Sequence, residues 1–219
     1  MTGRAPSVVF ALLLLAVCAA CGSTTSSAPP SNGSHAETPA AAASEGVEPT
    51  DCKARIEAAT FDNLETIDLA SACRFTASGT TAAAAVLTGG ASRDATWAAI
   101  WVYSSLAADP APLRAALGNA DPSVRAMAGA ATATLGDHDG LVQLLALVDN
   151  EMPLLGSVPP TSIGEFAVRS LDRMIVADDS PGGDVDIDTL AQVAKAWHSW
   201  LDSRLAALTY DTGVAGWNQ

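Results

Sequence analysis

Three places in the chain carry residue types that can do chemistry. Asp137-His138-Asp139-Gly140 sets two carboxylates around an imidazole, the makings of an acid–base pair or a metal ligand set. The same residues are ordinary turn formers and fall between two stretches of helical periodicity, so a turn is the simpler reading. Residues 178–188 hold five carboxylates, and Asp184, Asp186 and Asp188 alternate as calcium ligands can. The EF-hand pattern then requires a glycine after the third ligand and a glutamate at position 12. Thr189 and Lys195 stand there instead, which favours a solvated loop with Asp188 capping the next helix. His198 has Asp202 four residues on, a surface pair worth under ~1 kcal/mol. There is no Gly-x-Ser-x-Gly, no phosphate loop, no dinucleotide fingerprint and no Ser-x-x-Lys. The expectation is a non-enzymatic chain with no catalytic residue, no metal and no cofactor.

The tryptophans are the other conspicuous side chains. Trp97/Trp101 and Trp197/Trp200 fall at helical, apolar spacing. Burial in the core is the plain reading; the sharper one makes them partner-binding anchors, because tryptophan is enriched at interface hot spots. Trp217, near the C-terminal end among Gly and Asn, is either docked or frayed, and the sequence does not decide.

The elements that must hold these residues begin with an export signal. Arg4 precedes ten unbroken apolar residues, 8–17, too few to span a ~30 Å bilayer as a helix, which needs ~20, but right for the h-region of a signal peptide over residues 1–20. Cys18-Ala19-Ala20-Cys21-Gly22-Ser23 follows and resembles the bacterial lipobox, in which the cysteine is diacylated and becomes the first mature residue. Cys21, with small residues on both sides, is the favoured register; Cys18 competes, with Leu15 upstream but Val17 at the cleavage bond. An ordinary signal cut after Ala20 is the bland alternative. The resemblance implies attachment to the membrane through an N-terminal diacylglycerol anchor on the extracytoplasmic face, which two acyl chains make stable. Residues 21–50 contain almost no large apolar side chain beyond Val47, the composition of a disordered linker.

Charge narrows the partners. Lys plus Arg number 11 against 24 Asp plus Glu, a net charge of −13, and removal of Arg4 with the signal makes it −14. Such a surface repels nucleic acid and anionic headgroups alike. Alanine supplies 45 of 219 residues and aromatics 5%, so the core is built from small aliphatics. With Cys18 and Cys21 assigned to the N-terminus, Cys52 and Cys73 remain as an even pair in an exported chain. They are expected to form a disulfide closing a loop of about 22 residues, worth ~3 kcal/mol.

From residue 51 onward apolar residues recur at spacings of three and four. Cys52, Ile56 and Ala59 mark a first short helix. Leu64, Ile67, Ala70 and Cys73 follow behind Asp62 as a cap, and an alanine helix over 80–87 is stopped by Gly89-Gly90. Asp94 opens the Trp97/Trp101 helix. Asp109-Pro110 and Asp121-Pro122 are helix starts of the strongest kind, an acid cap before proline in the first turn. Val124, Met127, Ala128, Ala131 and Leu135 form one stripe, ended by Gly136, and Asp139 caps a helix with Leu141, Leu144, Leu145 and Val148. A Pro/Gly-rich loop over 150–161 precedes Ile163, Phe166, Ala167, Ser170, Leu171 and Met174. The last helix carries Leu190, Val193, Trp197, Trp200, Leu201, Leu205 and Leu208. No stretch alternates well enough for a sheet, and the fold is expected to be all-α.

Asp121-Pro122-Ser123-Val124-Arg125 with Ala128, followed by Leu135-Gly136-Asp137 and a short leucine-rich helix, resembles a HEAT-type repeat. Residues 92–117 match less well, with Trp97 and Leu106 at core positions; Ile163 to Ile175 matches a third unit, with Ala167 and Arg169 in register. Trp197-His198-Ser199-Trp200-Leu201 with Leu208-Thr209-Tyr210-Asp211 resembles a tail that follows some bacterial HEAT-like arrays. The resemblance implies a short α-solenoid over residues 80–210, behind a disulfide-stapled helical cap (51–79) and before a tail (211–219). It also implies a turn aspartate capping the second helix of a pair, an arginine crossing to the neighbouring turn, and a scaffold that binds another protein. A solute- or ligand-binding lipoprotein with a pocket between helix pairs is the competing expectation.

Overall fold

The computed structural model describes residues 49–157, 159–182 and 185–218, which belong to one compact unit, Val47–Gln219. Cys18, Cys21, the signal and all but the end of the linker lie outside the described residues, as does Asp184 of the acidic loop.

Short polar side chains set the helix starts. Helix α1 is Pro49–Glu57 and α2 is Leu64–Ser71, capped by Asn63. Helices α3 (Ala77–Thr88) and α4 (Arg93–Tyr103) are capped by Thr76 and Ser92. At α5 (Ala111–Leu117) the Asp109 carboxylate accepts the Ala111 N–H at 2.9 Å. At α6 (Pro122–Thr134) Asp121 accepts the Ser123 N–H at 2.7 Å. Asp137 caps α7 (His138–Leu145), and Ser162 opens α8 (Ile163–Met174) in a reciprocal box with Glu165. The last helix, α9 (Leu190–Arg204), runs into a 3₁₀ turn, Leu205–Ala207.

Both Asp-Pro starts hold, and the described residues are mostly helical. Three expected caps shift to a neighbour: Asn63 for Asp62, Ser92 for Asp94 and Asp137 for Asp139; at α9 the cap position is Thr189 rather than Asp188, with no side-chain cap bond. A cap must hold a non-helical backbone while its oxygen reaches the N–H two or three residues ahead. Asp94 and Asp139 instead sit inside the first turn, where a carboxylate still favours the helix dipole. Before α9, Asp186 Oδ1 accepts the N–H groups of Asp188 and Thr189 and the Thr189 hydroxyl. The Thr189 hydroxyl and these backbone donors hold its carboxyl below the usual range.

The all-α expectation misses one feature, a hairpin of β1 (Thr209–Asp211) and β2 (Gly216–Asn218) with Tyr210 opposite Trp217. Trp217 is fully buried; its indole N–H donates to the Ala133 carbonyl at 3.0 Å, and the Val176 N–H donates to its carbonyl at 2.8 Å. The tail is therefore docked, and the boundary drawn at residue 211 falls inside the hairpin. The boundary at 79/80 likewise falls inside α3.

Most helices touch the next in the chain and the next but one: α1 packs on α3, α3 on α4, α4 on α6, α6 on α7 and α8. Two buried clusters result. The first gathers Cys52, Ile56, Ile100 and Leu113; the second gathers Leu141, Leu171, Trp197, Leu201 and Trp217. Helix α6 serves both, with Val124, Ala128 and Ala131 in the first and Ala126 and Ala133 in the second. An element buried on two sides has room only for small side chains, which accounts for its Ala-Met-Ala-Gly-Ala-Ala sequence. On α7, Gly140 leaves no space for a Cβ: one would stand within 3.0 Å of the Ala133 nitrogen and the Gly129 carbonyl.

Candidate functional site

Leu69, Phe75 and Leu106 are among the large apolar side chains left at the surface, and Phe75 is held there by its backbone. It adopts φ +60°, a conformation that costs a non-glycine L-residue ~1–2 kcal/mol, in the turn between α2 and α3. Three devices fix that turn. Cys73, two residues earlier, is bonded to Cys52 of α1, with both residues fully buried and Cα atoms 5.7 Å apart. The Thr76 hydroxyl donates to the Cys73 carbonyl at 2.8 Å while accepting the Gly79 N–H at 2.9 Å. Gly79 itself lets α3 approach Cys73: a Cβ there would overlap the Cys73 carbonyl oxygen.

The turn delivers Arg74 between two rings. Its guanidinium carbon lies 4.9 Å from the Phe75 ring centre and 4.2 Å from that of Trp101, and its Nε donates to the Ser105 hydroxyl at 2.9 Å. Ser105 in turn donates to the Trp101 carbonyl, so α4 fixes both the ring and the hydroxyl. Burial draws the Arg74 guanidinium down from its ordinary pKa. Among the described residues Arg74 meets no carboxylate, whereas Arg55, Arg93, Arg114, Arg169 and Arg204 each do.

Behind Trp101 the aromatic row continues inward. Trp97 lies 6.1 Å from Trp101 and meets Phe61 edge-on at 4.9 Å. Phe61 packs on Gly156 of the 150–161 loop, and Asp94 accepts its backbone N–H at 3.0 Å. Burial pushes the Asp94 carboxyl up, but the hydrogen bonds from Arg93 and the Phe61 N–H outweigh it, and the group lies below the usual carboxylate range. The Trp97 indole N–H is buried with no partner among the described residues.

The four expected anchors thus separate. Trp97 and Trp101 are half-buried in this row. Trp197 is fully buried and Trp200 is 7% exposed. Trp200 donates to Asp179 at 3.3 Å beneath the Arg204 guanidinium. Their burial assigns Trp197 and Trp200 to the core, where they present almost no surface to a partner. Leu106, expected in the core, is 51% exposed because α4 ends at Tyr103 and the chain leaves the helix before reaching it.

Other candidate residues have structural partners. Asp137 accepts the Asp139 N–H at 3.0 Å and the Arg114 Nε at 2.6 Å. His138 Nε2 donates to the Leu208 carbonyl at 2.9 Å, and its ring meets Trp217 edge-on. His198 pairs with Asp149 at 3.0 Å rather than with Asp202. Arg125, expected to cross to a neighbouring turn, instead donates back to the Asn119 and Ala120 carbonyls of its own turn; Arg114 of α5 does cross, to Asp137. Among the described residues no group of three His, Cys, Asp or Glu is placed to hold a metal, and no helix is long and apolar enough to cross a membrane.

No protein-family model, curated protein or solved structure matches this chain. The function is therefore argued from the site alone.

A depression of about 230 Å³ is lined by Glu151, Pro153, Pro160, Thr161, Ser162, Glu165 and Ile187. It lies below the ~300–1,000 Å³ of ordinary ligand pockets. The Glu165 carboxylate at its wall is already committed to the Ser162 N–H, at 2.7 Å.

Proposed function

We propose that this chain is a lipoprotein held by Cys21 at the extracytoplasmic face of a membrane, where a short HEAT-like array of helix pairs acts as a non-enzymatic scaffold for another protein. The observation that carries the reading is the Phe75–Arg74–Trp101 stack. Aromatic and arginine side chains dominate interface hot spots, and here a disulfide, a hydroxyl clamp and a glycine contact hold an aromatic ring at the surface in a costly conformation. Strain of this kind collects at functional sites. The near-neighbour packing of the helices supports the array, since each pair of a solenoid buries its faces on adjacent pairs.

The test is in-cell crosslinking with mass spectrometry, comparing wild type with a Phe75→Ala/Trp101→Ala variant whose circular dichroism is unchanged. A specific protein crosslinked to wild type and lost from the variant is expected. A crosslinked partner kept in the variant overturns this surface as the site. Fractionation of Cys21→Ser tests the setting: the protein should leave the membrane fraction, and one that stays refutes the anchor.

A further inference from the structure

Resting on that reading, we infer that the partner presents a single carboxylate to Arg74, on a segment whose remaining charges are positive. The inference begins with an imbalance. The chain carries 24 acids and 11 cations, yet Arg74 meets none of the acids among the described residues. Its Nε is taken by the Ser105 hydroxyl, and the guanidinium carbon lies over both rings, 4.9 Å from the Phe75 centre and 4.2 Å from the Trp101 centre. The Nη donors, which have no protein acceptor among the described residues, form a pre-oriented fork. A planar fork matches the two oxygens of a carboxylate, and stacking leaves little freedom to lose on binding.

The rest of the surface selects among anions. A net charge of −13 repels polyanions, so nucleic acid and anionic bilayers are poor occupants. The same field draws in a cationic segment and raises its encounter rate. One carboxylate within a basic stretch satisfies both the field and the fork. Phe75, 58% exposed beside Arg74, offers a flat apolar platform for the side chain next to that carboxylate.

The probes are two acetylated, amidated peptides, Gly-Lys-Lys-Leu-Glu-Gly-Lys-Lys-Gly and the same sequence with Gln for Glu. They are titrated into the mature full-length protein in detergent while the Arg74 side-chain N–H and Trp101 indole N–H signals are followed by NMR. The Glu peptide should bind about tenfold tighter than the Gln peptide and move both signals. Arg74→Gln should erase the difference. Arg74→Lys, which keeps the charge and most of the stem, should keep the fold and lose most of the preference. Equal binding of the two peptides, no binding of either into the millimolar range, or an undiminished preference in the folded Arg74→Lys protein overturns the inference. Crosslinking separates the two ideas. A partner lost in Phe75→Ala/Trp101→Ala but kept in Arg74→Gln sinks the carboxylate and leaves the scaffold, while a partner kept in both sinks the scaffold surface.

Discussion

A phenylalanine at φ +60° makes a clean experiment, because its backbone and its ring can be altered separately. Phe75→Ala removes the ring and keeps the left-handed strain; Phe75→Gly removes both. The glycine variant should be the more stable of the two by about 1 kcal/mol in urea denaturation, since the left-handed penalty of ~1–2 kcal/mol exceeds the extra chain entropy glycine brings to the unfolded state. Equal stability would show that residue 75 relaxes to negative φ in solution. On the proposed scaffold role, neither variant should retain the crosslinked protein. Nothing in the sequence marked Phe75, because a positive φ is announced by Gly, Asn or Asp and this one is imposed by the contacts around it. Trp101 was legible from helical spacing alone, and its stacked Arg74 was not, since they meet only after the α2–α3 turn is folded.

At the scale of the element, close approach of backbones decides what is tolerated. Gly140→Ala places a methyl group against Ala133 and Gly129 backbone atoms and should cost ~3 kcal/mol, the upper range for overpacking. Gly118→Ala, where nothing lies within 4 Å of the new Cβ, should stay within ~0.5 kcal/mol. Thermal melts of the two check the contrast, and similar melting temperatures would mean α6 and α7 are not in backbone contact. Helices were the readable part of this chain because three-and-four spacing, Asp-Pro starts and Gly stops act locally. The hairpin was missed although Thr209-Tyr210-Asp211 and a Gly-containing turn are strand and turn residues. Its strands are three residues each, too short for alternation to show.

Across the whole molecule the Cys52–Cys73 bond joins α1 to the turn that carries Arg74. Replacing both cysteines with alanine should lower unfolding free energy by ~3 kcal/mol. It should also weaken the Glu peptide more than the Gln peptide, because the turn that aims the guanidinium is released. Loss of stability with an unchanged peptide preference would show that Thr76 and Gly79 suffice to aim it. The pairing was legible from cysteine arithmetic; its bearing on the site needed the chain's path.

Trp217 closes the second cluster from the last stretch of the sequence. Its indole meets the Ala133 carbonyl across 84 residues of chain and the ring of His138. A contact so distant in sequence carries a loop-closure cost that neighbouring helix pairs do not, so the second cluster should be the slower of the two to complete.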